Sequence, residues 1–176
     1  MAKGTAAQRE ALKAMRREVL ATMATLLPFR NMNLEPLATT PLGFLRTSAI
    51  QRHGVTRWKR GENGTLTVDC VDLHPALLEN EWQPYGLFVL FHEFIHVLGF
   101  RAHNGEFRAL EAVWPNASAR SSGRSFTHAM RLQRSMWIWQ CPSCEATFPR
   151  RVRGNRRYQC RTCRVPLLDV RREHAQ

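Results

Sequence analysis

Residues 87–99 read LFVLFHEFIHVLG, and the rest of the fold is expected to pack around this segment. Apolar side chains occupy nearly every position, so a helix formed here has no polar face and must be buried. Pro84 suits the first turn of such a helix, and Gly99 suits its end. We therefore predict a buried central helix. Three polar residues interrupt its apolar run, and burying them is costly unless something compensates.

The three polar residues, His92, Glu93 and His96, form the pattern HExxH. Because the histidines are four residues apart, a helix places both imidazoles on one face, one turn apart. They can then hold one Zn²⁺ through nitrogens at about 2.0–2.1 Å, while Glu93 takes the proton of the attacking water. The alternative is two hydrogen-bonded core histidines beside a buried ion pair. The pattern favours a catalytic zinc with Glu93 as the general base.

A catalytic zinc needs a third protein ligand and an open fourth position. His103 is the preferred candidate, because Gly99 lets the chain reverse after the helix and bring His103 back to the metal. Glu106 and Glu111 are the alternatives, as in glutamate-type zincins. The metzincin pattern HExxHxxGxxH is rejected, because the third histidine comes one residue too late.

The rest of the first 116 residues predicts a small α+β domain. Helical spacing of apolar residues predicts a helix over 5–27. Two strands, 55–59 and 65–73, are expected to form a hairpin through the turn Gly61-Glu62-Asn63-Gly64. A further short helix is expected over 106–114, where Pro115 stops it.

The five cysteines divide into a cluster of four and a single residue. Cys141/Cys144 and Cys160/Cys163 are two CxxC pairs separated by 15 residues, a spacing typical of a closed tetrahedral structural zinc site. A redox role is disfavoured, because no βαβ pattern surrounds either pair. Cys70 lies in the second predicted strand and is expected to be a small buried hydrophobe.

Between the CxxC pairs the sequence predicts a basic hairpin. Segments 147–153 and 156–158 flank Gly154-Asn155, a plausible tight turn. Five arginines cluster at its tip: Arg150, Arg151, Arg153, Arg156 and Arg157. Because guanidinium forks match phosphate geometry, these residues are predicted to bind nucleic acid.

Charge is distributed unevenly along the chain. The formal net charge is +12, and residues 117–176, with 13 arginines and three acidic residues, hold +10 of it. A segment with so many positive charges usually binds a polyanion, most commonly the phosphate backbone of a nucleic acid. The alternative is a solvated, solubilising face.

Several of these features together resemble the SprT-like metalloproteases, a family that includes DNA–protein crosslink proteases. The resemblance covers roughly 40–170 and is carried by Thr47-Ser48 ahead of the hairpin, a strand ending near Leu73, and segments 91–96 and 103–107, followed by the two-CxxC ribbon. It implies that His92, His96 and His103 ligate the catalytic zinc and that Glu93 is the base. By analogy with zincins, the strand 65–73 is expected to be an edge strand that pairs with the substrate backbone.

The expected organisation is α+β: a zincin-like metalloprotease domain over 1–116, a basic linker and helix over 117–136, and a zinc ribbon over 137–172. Within it, 116–125 is read as a linker and 126–139 as a helix that turns into a strand. The expected function is zinc-dependent proteolysis of DNA-associated proteins, with one catalytic and one structural zinc. The alternatives are a non-catalytic nucleic-acid-binding zinc protein and a general intracellular zinc peptidase.

The expected location is intracellular, in the cytoplasm or nucleoid of a prokaryote or the nucleus of a eukaryote. The first 27 residues lack the apolar run of a signal peptide and include Glu10 and Glu18, which disfavours a transit peptide. No stretch reaches 18 uninterrupted apolar residues, so no association with a membrane is expected.

Overall fold

The computed structural model of the chain describes residues 4–172. These residues form mixed α and β structure in two compact units, Met1–Gly123 and Arg124–Gln176. Among the described residues, no helix is both long and apolar enough to cross a membrane.

The first unit begins with helix α1, Ala6–Thr25, as the apolar spacing predicted. Thr5 caps it: its side chain accepts the backbone N–H of Gln8, and the Gln8 side chain accepts the N–H of Thr5. The buried residues recur on one face of the helix: Leu12, Met15, Val19 and Met23. A short helix α2, Glu35–Thr39, follows.

Three strands form the sheet of the first unit: β1 (Leu42–Phe44), β2 (Gly54–Arg60) and β3 (Leu66–Leu73). The predicted hairpin of β2 and β3 is confirmed, and these strands are antiparallel. β1 was not predicted; it pairs in parallel with β3, so the strand order is β1-β3-β2. The expectation that 65–73 is an edge strand is therefore wrong. The edge strand of the hairpin is β2.

The burial of β3 explains why it lies at the centre. Its last four residues, Cys70–Leu73, are all buried, so both faces of this half are covered. Asp72 is among them, and its carboxylate accepts a hydrogen bond of 2.6 Å from Arg57 Nε on β2. Cys70 is buried as predicted.

Helix α3, Gln83–Val97, is the predicted central helix and carries Pro84 in its first turn. Gly99 follows with φ of +105°, a left-handed conformation that ends the helix and reverses the chain. Helix α4, Gly105–Ala112, starts at Asn104, whose side chain caps the N–H of Phe107. Part of the segment read as a linker is instead helix α5, Ala117–Ser121.

The second unit combines most of helix α6 (Gly123–Gln133) with a three-stranded antiparallel sheet. Its strands are β4 (Trp137–Gln140), β5 (Thr147–Arg150) and β6 (Leu168–Arg171), in the order β5-β4-β6. The predicted change from helix to strand over 126–139 is confirmed.

The predicted hairpin around Gly154-Asn155 is wrong, because β5 pairs with β4 and not with 156–158. The backbone N–H groups of Gly154 and Asn155 donate to the Asp169 carboxylate on β6, at 2.7 and 2.8 Å. The turn is therefore held by a side chain from a distant strand.

Candidate metal centres

Three histidines of the first unit converge on one point. His92 and His96 lie one turn apart on α3, and His103 comes from the loop before α4. The Nε2 atom of His103 lies 3.1 Å from the Nε2 atom of His92 and 3.1 Å from that of His96. Three nitrogens bound to one zinc at about 2.0–2.1 Å in tetrahedral geometry would lie about 3.3 Å apart. The spacing therefore fits a metal ion of this size.

The other ring nitrogens support the same conclusion. His96 Nδ1 lies 2.7 Å from the carbonyl oxygen of Phe100, which can only accept, so Nδ1 carries the proton. His92 Nδ1 lies 2.6 Å from Glu111 Oε1, and this hydrogen bond holds the pKa of Glu111 below its usual value. In the neutral rings both Nε2 lone pairs then face His103, an arrangement that a shared cation stabilises.

Glu93 lies next to the histidines and is buried, with 5% of its surface exposed. Burial raises the pKa of its carboxyl group, and the hydrogen bond from Thr56 opposes that rise. The Thr56 hydroxyl donates to Glu93 Oε2 at 2.7 Å. Within residues 4–172, Oε1 accepts no hydrogen bond, so it is the oxygen available to receive a proton.

Gly54 gives the Glu93 carboxylate its space. A Cβ atom at position 54 would lie 2.7 Å from Glu93 Oε1 and 2.7 Å from Val89 Cγ1, distances that real Cβ atoms essentially never show. Only glycine therefore allows β2 to approach the carboxylate this closely. The sequence reading missed both Gly54 and Thr56, because neither carries a metal-binding group.

An open cleft of about 460 Å³ lies over the histidines and Glu93. One wall is the edge strand β2, which contributes Gly54, Thr56 and Trp58. The loop after α3 also lines the cleft, through Arg101 and Ala102, which precede the third histidine. His92 and His96 are partly buried, whereas His103 is exposed. The cluster is thus open to solvent on one side.

The two alternative ligands lie elsewhere. Glu106 is exposed in the first turn of α4 and is not among the groups positioned to hold a metal. Glu111 contacts the back of His92 through Nδ1 instead of the point where the Nε2 atoms meet. Its place on α4, one turn after the buried Phe107, was a signal that it faces α3.

The four cysteines of the second unit form the other cluster. The sulfur atoms of Cys141, Cys144, Cys160 and Cys163 all lie within 4.8 Å of one another, positioned for a metal ion. Backbone N–H groups of Cys163 and Thr162 lower the pKa of the Cys160 thiol, to about 6. A low thiol pKa favours the thiolate, which is the form that binds a metal.

The two CxxC loops adopt the same turn. The N–H of Cys141 donates to the Ala146 carbonyl, and the N–H of Cys160 donates in the same way to Val165, each at 2.9 Å. Glu145 and Arg164, which follow the second cysteine of each loop, have φ of 57° and 58°. The cluster is therefore closed by two equivalent loops, a repeat that the sequence reading did not find.

The five arginines predicted to bind nucleic acid divide into two groups. Arg150 lies over the Trp139 ring at 4.9 Å and Arg153 over the Trp137 ring at 4.8 Å. The other three are Arg151, Arg156 and Arg157, which are exposed, as is Arg153. Tyr158 stacks on Trp139 and leaves half of its own surface exposed. Four exposed arginines thus lie close in sequence to one exposed aromatic ring, that of Tyr158.

No family model, no curated protein and no solved structure matches this chain. What the two clusters do chemically therefore follows from their geometry and from the residues around them.

Proposed function

We propose that the chain is a zinc-dependent endopeptidase that acts on DNA-associated proteins, including crosslinked ones. In this proposal His92, His96 and His103 hold a catalytic zinc in a zincin-like domain, and the four cysteines hold a structural zinc in a DNA-binding ribbon. One observation carries it: three Nε2 atoms converge on the floor of an open cleft beside a buried carboxylate.

Zinc in such a site, when bound, supplies Lewis acidity that polarises a carbonyl group and makes water a nucleophile at neutral pH. Glu93 would accept the proton of the attacking water at Oε1, while Thr56 holds Oε2. Burial raises the pKa of Glu93, which makes its carboxylate a stronger base than an exposed one. Glu111 and the Phe100 carbonyl orient the imidazoles from behind.

The substrate would lie along β2. This strand is the edge of the hairpin and one wall of the cleft, so its free backbone groups can pair with an extended peptide. Such pairing recognises main chain, which suits a protease that acts on many proteins. We assign the role expected for 65–73 to β2, because β3 pairs with β2 along one edge and with β1 over Val71–Leu73 on the other.

The open side of the histidine cluster favours catalysis over a structural role. A structural zinc is normally closed by four protein ligands, as the cysteine cluster would be. The histidine cluster offers three ligands in a cleft and adds Glu93, for which a structural site has no use. This contrast disfavours a non-catalytic nucleic-acid-binding protein.

The DNA-binding part of the proposal depends on the positive charge of the second unit and on the exposed ring of Tyr158. Residues 117–176 hold +10 of the net charge of +12. Arg151, Arg156 and Arg157 are exposed and lie close in sequence to Tyr158, which is also exposed. The arginines would bind phosphates, and the tyrosine ring would stack on unpaired bases.

The Glu93→Gln variant tests catalysis. Glutamine keeps the shape and the hydrogen bond from Thr56 but cannot take a proton, so we expect retained zinc and about a hundredfold slower proteolysis or worse. Zinc content by mass spectrometry and digestion of casein measure the two properties separately. Cleavage at the wild-type rate would reject Glu93 as the base. Wild-type protein that holds no metal at the histidines, even with added zinc, would reject the protease assignment.

Changing Arg151, Arg156 and Arg157 to glutamine tests DNA binding, and it leaves the two arginines that stack on tryptophans in place. We expect the log–log salt dependence of DNA affinity to become shallower by about two to three, because each neutralised phosphate releases counterions. Cleavage of a DNA-bound protein should slow, and cleavage of a short free peptide should not. If DNA neither binds the wild-type chain nor speeds any cleavage, the general intracellular peptidase is correct.

A further inference from the structure

One contact in the first unit joins two residues that line the cleft. The Arg101 guanidinium lies over the Trp58 ring, 5.0 Å from its centroid. Trp58 belongs to β2 and Arg101 to the loop after α3, and both line the cleft. A cation therefore stands within the same cleft as the three histidines.

Both partners are held in place by their backbones. Trp58 follows an irregularity in the β2–β3 register, where Arg57 pairs with Cys70 and Trp58 with Val68. The loop of Arg101 is fixed by Phe100, whose carbonyl binds His96 Nδ1 and whose N–H donates to Ile95. The position of the cation thus depends on the same residues that orient the metal ligands.

The donors of Arg101 remain available. Contact with a ring uses the face of the guanidinium, so its N–H groups, which lie in the plane, can still bind a carboxylate by two hydrogen bonds. Among residues 4–172, no carboxylate lies within ion-pair distance of Arg101. The side chain is exposed. Among the described residues that line this cleft, Glu93 is the one acidic residue, and it is buried and already bound by Thr56.

The cavity on the other side of Glu93 differs in character. It has a volume of about 330 Å³ and shares Gly54, His92 and Glu93 with the first cleft, so the two adjoin at these residues. Its walls include the buried apolar residues Phe88 and Val89 and also the exposed Arg52. A peptide lying along β2 would therefore meet Arg101 in the first cleft and a mixed apolar and polar wall in the second cavity.

We propose that Arg101, stacked on Trp58, forms a subsite that selects substrates with an aspartate or glutamate on one side of the cleaved bond. This inference rests on the proposed peptidase function and adds a substrate preference to it. Trp58 acts as a positioning residue, because it holds the guanidinium over the cleft with its N–H edge free.

The experiment compares full-length wild-type, Arg101→Glu and Arg46→Glu proteins on matched fluorogenic peptides. One peptide carries a glutamate at successive positions around the cleaved bond, and its partner carries glutamine there. Wild type should favour glutamate at one position by several-fold in kcat/KM. In Arg101→Glu the ratio should shift by roughly tenfold against glutamate, because an attraction becomes a repulsion. Arg46 is exposed and lines neither cavity, so its charge reversal should leave the ratio unchanged.

The role of Trp58 is tested in the same assay. Trp58→Ala should lose most of the glutamate preference, and Trp58→Phe, which keeps a ring, should retain more of it. Equal changes for both peptides in Arg101→Glu would mean that Arg101 only supports Trp58 or obstructs the cleft, and this would overturn the proposal. The proposal would also be overturned if Arg101→Glu lost only affinity for single-stranded DNA and kept the wild-type ratio between the two peptides.

A binding measurement separates this proposal from the proposed function. Fluorescence anisotropy of the same peptides with zinc-loaded Glu93→Gln protein reports recognition without cleavage. Tighter binding of the glutamate peptide supports the subsite even if wild type cleaves neither peptide, a result that would reject only the peptidase. Equal binding of the two peptides together with normal wild-type cleavage would reject only the subsite.

Discussion

The two ligand clusters of this chain differ in what surrounds them more than in their geometry. The three histidines lie on a packed helix and in the loop after it, open to a cleft with a carboxylate beside them. The four cysteines lie on two equivalent loops that face each other, in a unit with a small core. From this difference we expect the second unit to depend on a bound metal for its folding more than the first unit does.

The packing of the two units gives that contrast an energetic basis. Ten of the 15 residues of α3 are buried, nine of them uncharged, so we expect the apolar core around this helix to fold without a metal. The buried cluster of the ribbon consists of Trp139, Cys141, Cys160 and Leu167, two of which belong to the four-cysteine cluster. A core of this size stabilises a unit little, so metal binding is expected to supply most of the ribbon's folding free energy.

Removing each set of ligands is the strongest test of this difference. Cys141→Ser with Cys144→Ser should remove one zinc ion and unfold the ribbon, since structural zinc contributes about 10–16 kcal/mol in small domains. His92→Ala with His96→Ala should remove the other zinc ion and abolish proteolysis while the first unit stays folded. Metal analysis and nuclear magnetic resonance spectra of each protein measure both outcomes.

Cys70→Ser serves as the control for the cysteine variants, because Cys70 is buried in β3 and lies outside the cluster. It should keep both zinc ions. The comparison fails if the histidine variant unfolds the first unit, or if the serine variant retains an ordered ribbon.

Glu111→Gln tests how the open site holds its metal. The variant weakens the hydrogen bond to His92 Nδ1, and loss of such a partner costs roughly 10- to 100-fold in zinc affinity. Glu106→Gln changes an exposed carboxylate on the same helix and should have no effect. Competition with a fluorescent chelator measures both affinities. A larger loss in the Glu106 variant would make Glu106 the third ligand in place of His103.

Gly54→Ala tests the close approach of β2 to Glu93. The added Cβ would displace the carboxylate, so we expect kcat to fall by about tenfold or more while zinc remains bound. Gly105→Ala is the matched control, because a Cβ there meets nothing within 4 Å. Peptide cleavage and zinc content are measured for both variants. Equal activity of the two would show that the geometry at Gly54 does not matter for catalysis.

The smallest effect is expected for His74, which contributes to the pH dependence of folding stability independently of zinc release at low pH. His74 is buried, and burial lowers its pKa, so its neutral form is favoured in the folded state. The unfolded chain binds the proton at a pKa of about 6.5, so stability present above that pH is lost progressively as the pH falls below it.

His74→Asn should make this loss shallower. Asparagine can accept the N–H of Ala76 as His74 Nδ1 does, but it cannot titrate. Urea unfolding of metal-free protein at pH 7.5 and pH 5.5 measures the difference, without a contribution from zinc release. An unchanged difference between the two pH values would mean that His74 does not contribute to the acid sensitivity.

Much of the local structure could be predicted because its signals lie close together in the chain. The capped helix α1, the hairpin of β2 and β3, the buried helix α3 and its end at Gly99 each depend on residues a few positions apart. The convergence of the histidines follows from the same cause, since 92, 96 and 103 are joined by one helix and one short loop.

The residues that surround the three histidines and Glu93 could be identified only from the tertiary structure. Thr56 meets Glu93 across 37 residues of chain, and Glu111 meets His92 across 19. The order β1-β3-β2, the turn held by Asp169 and the Arg101–Trp58 contact are of the same kind. The amino-acid sequence by itself determined the metal-binding groups and the helices that carry them, because ligand chemistry and helical periodicity are local properties. The residues that line the cleft, the partner of Glu93 and the residues available to a substrate depend on packing between distant segments. A local sequence pattern does not predict that packing.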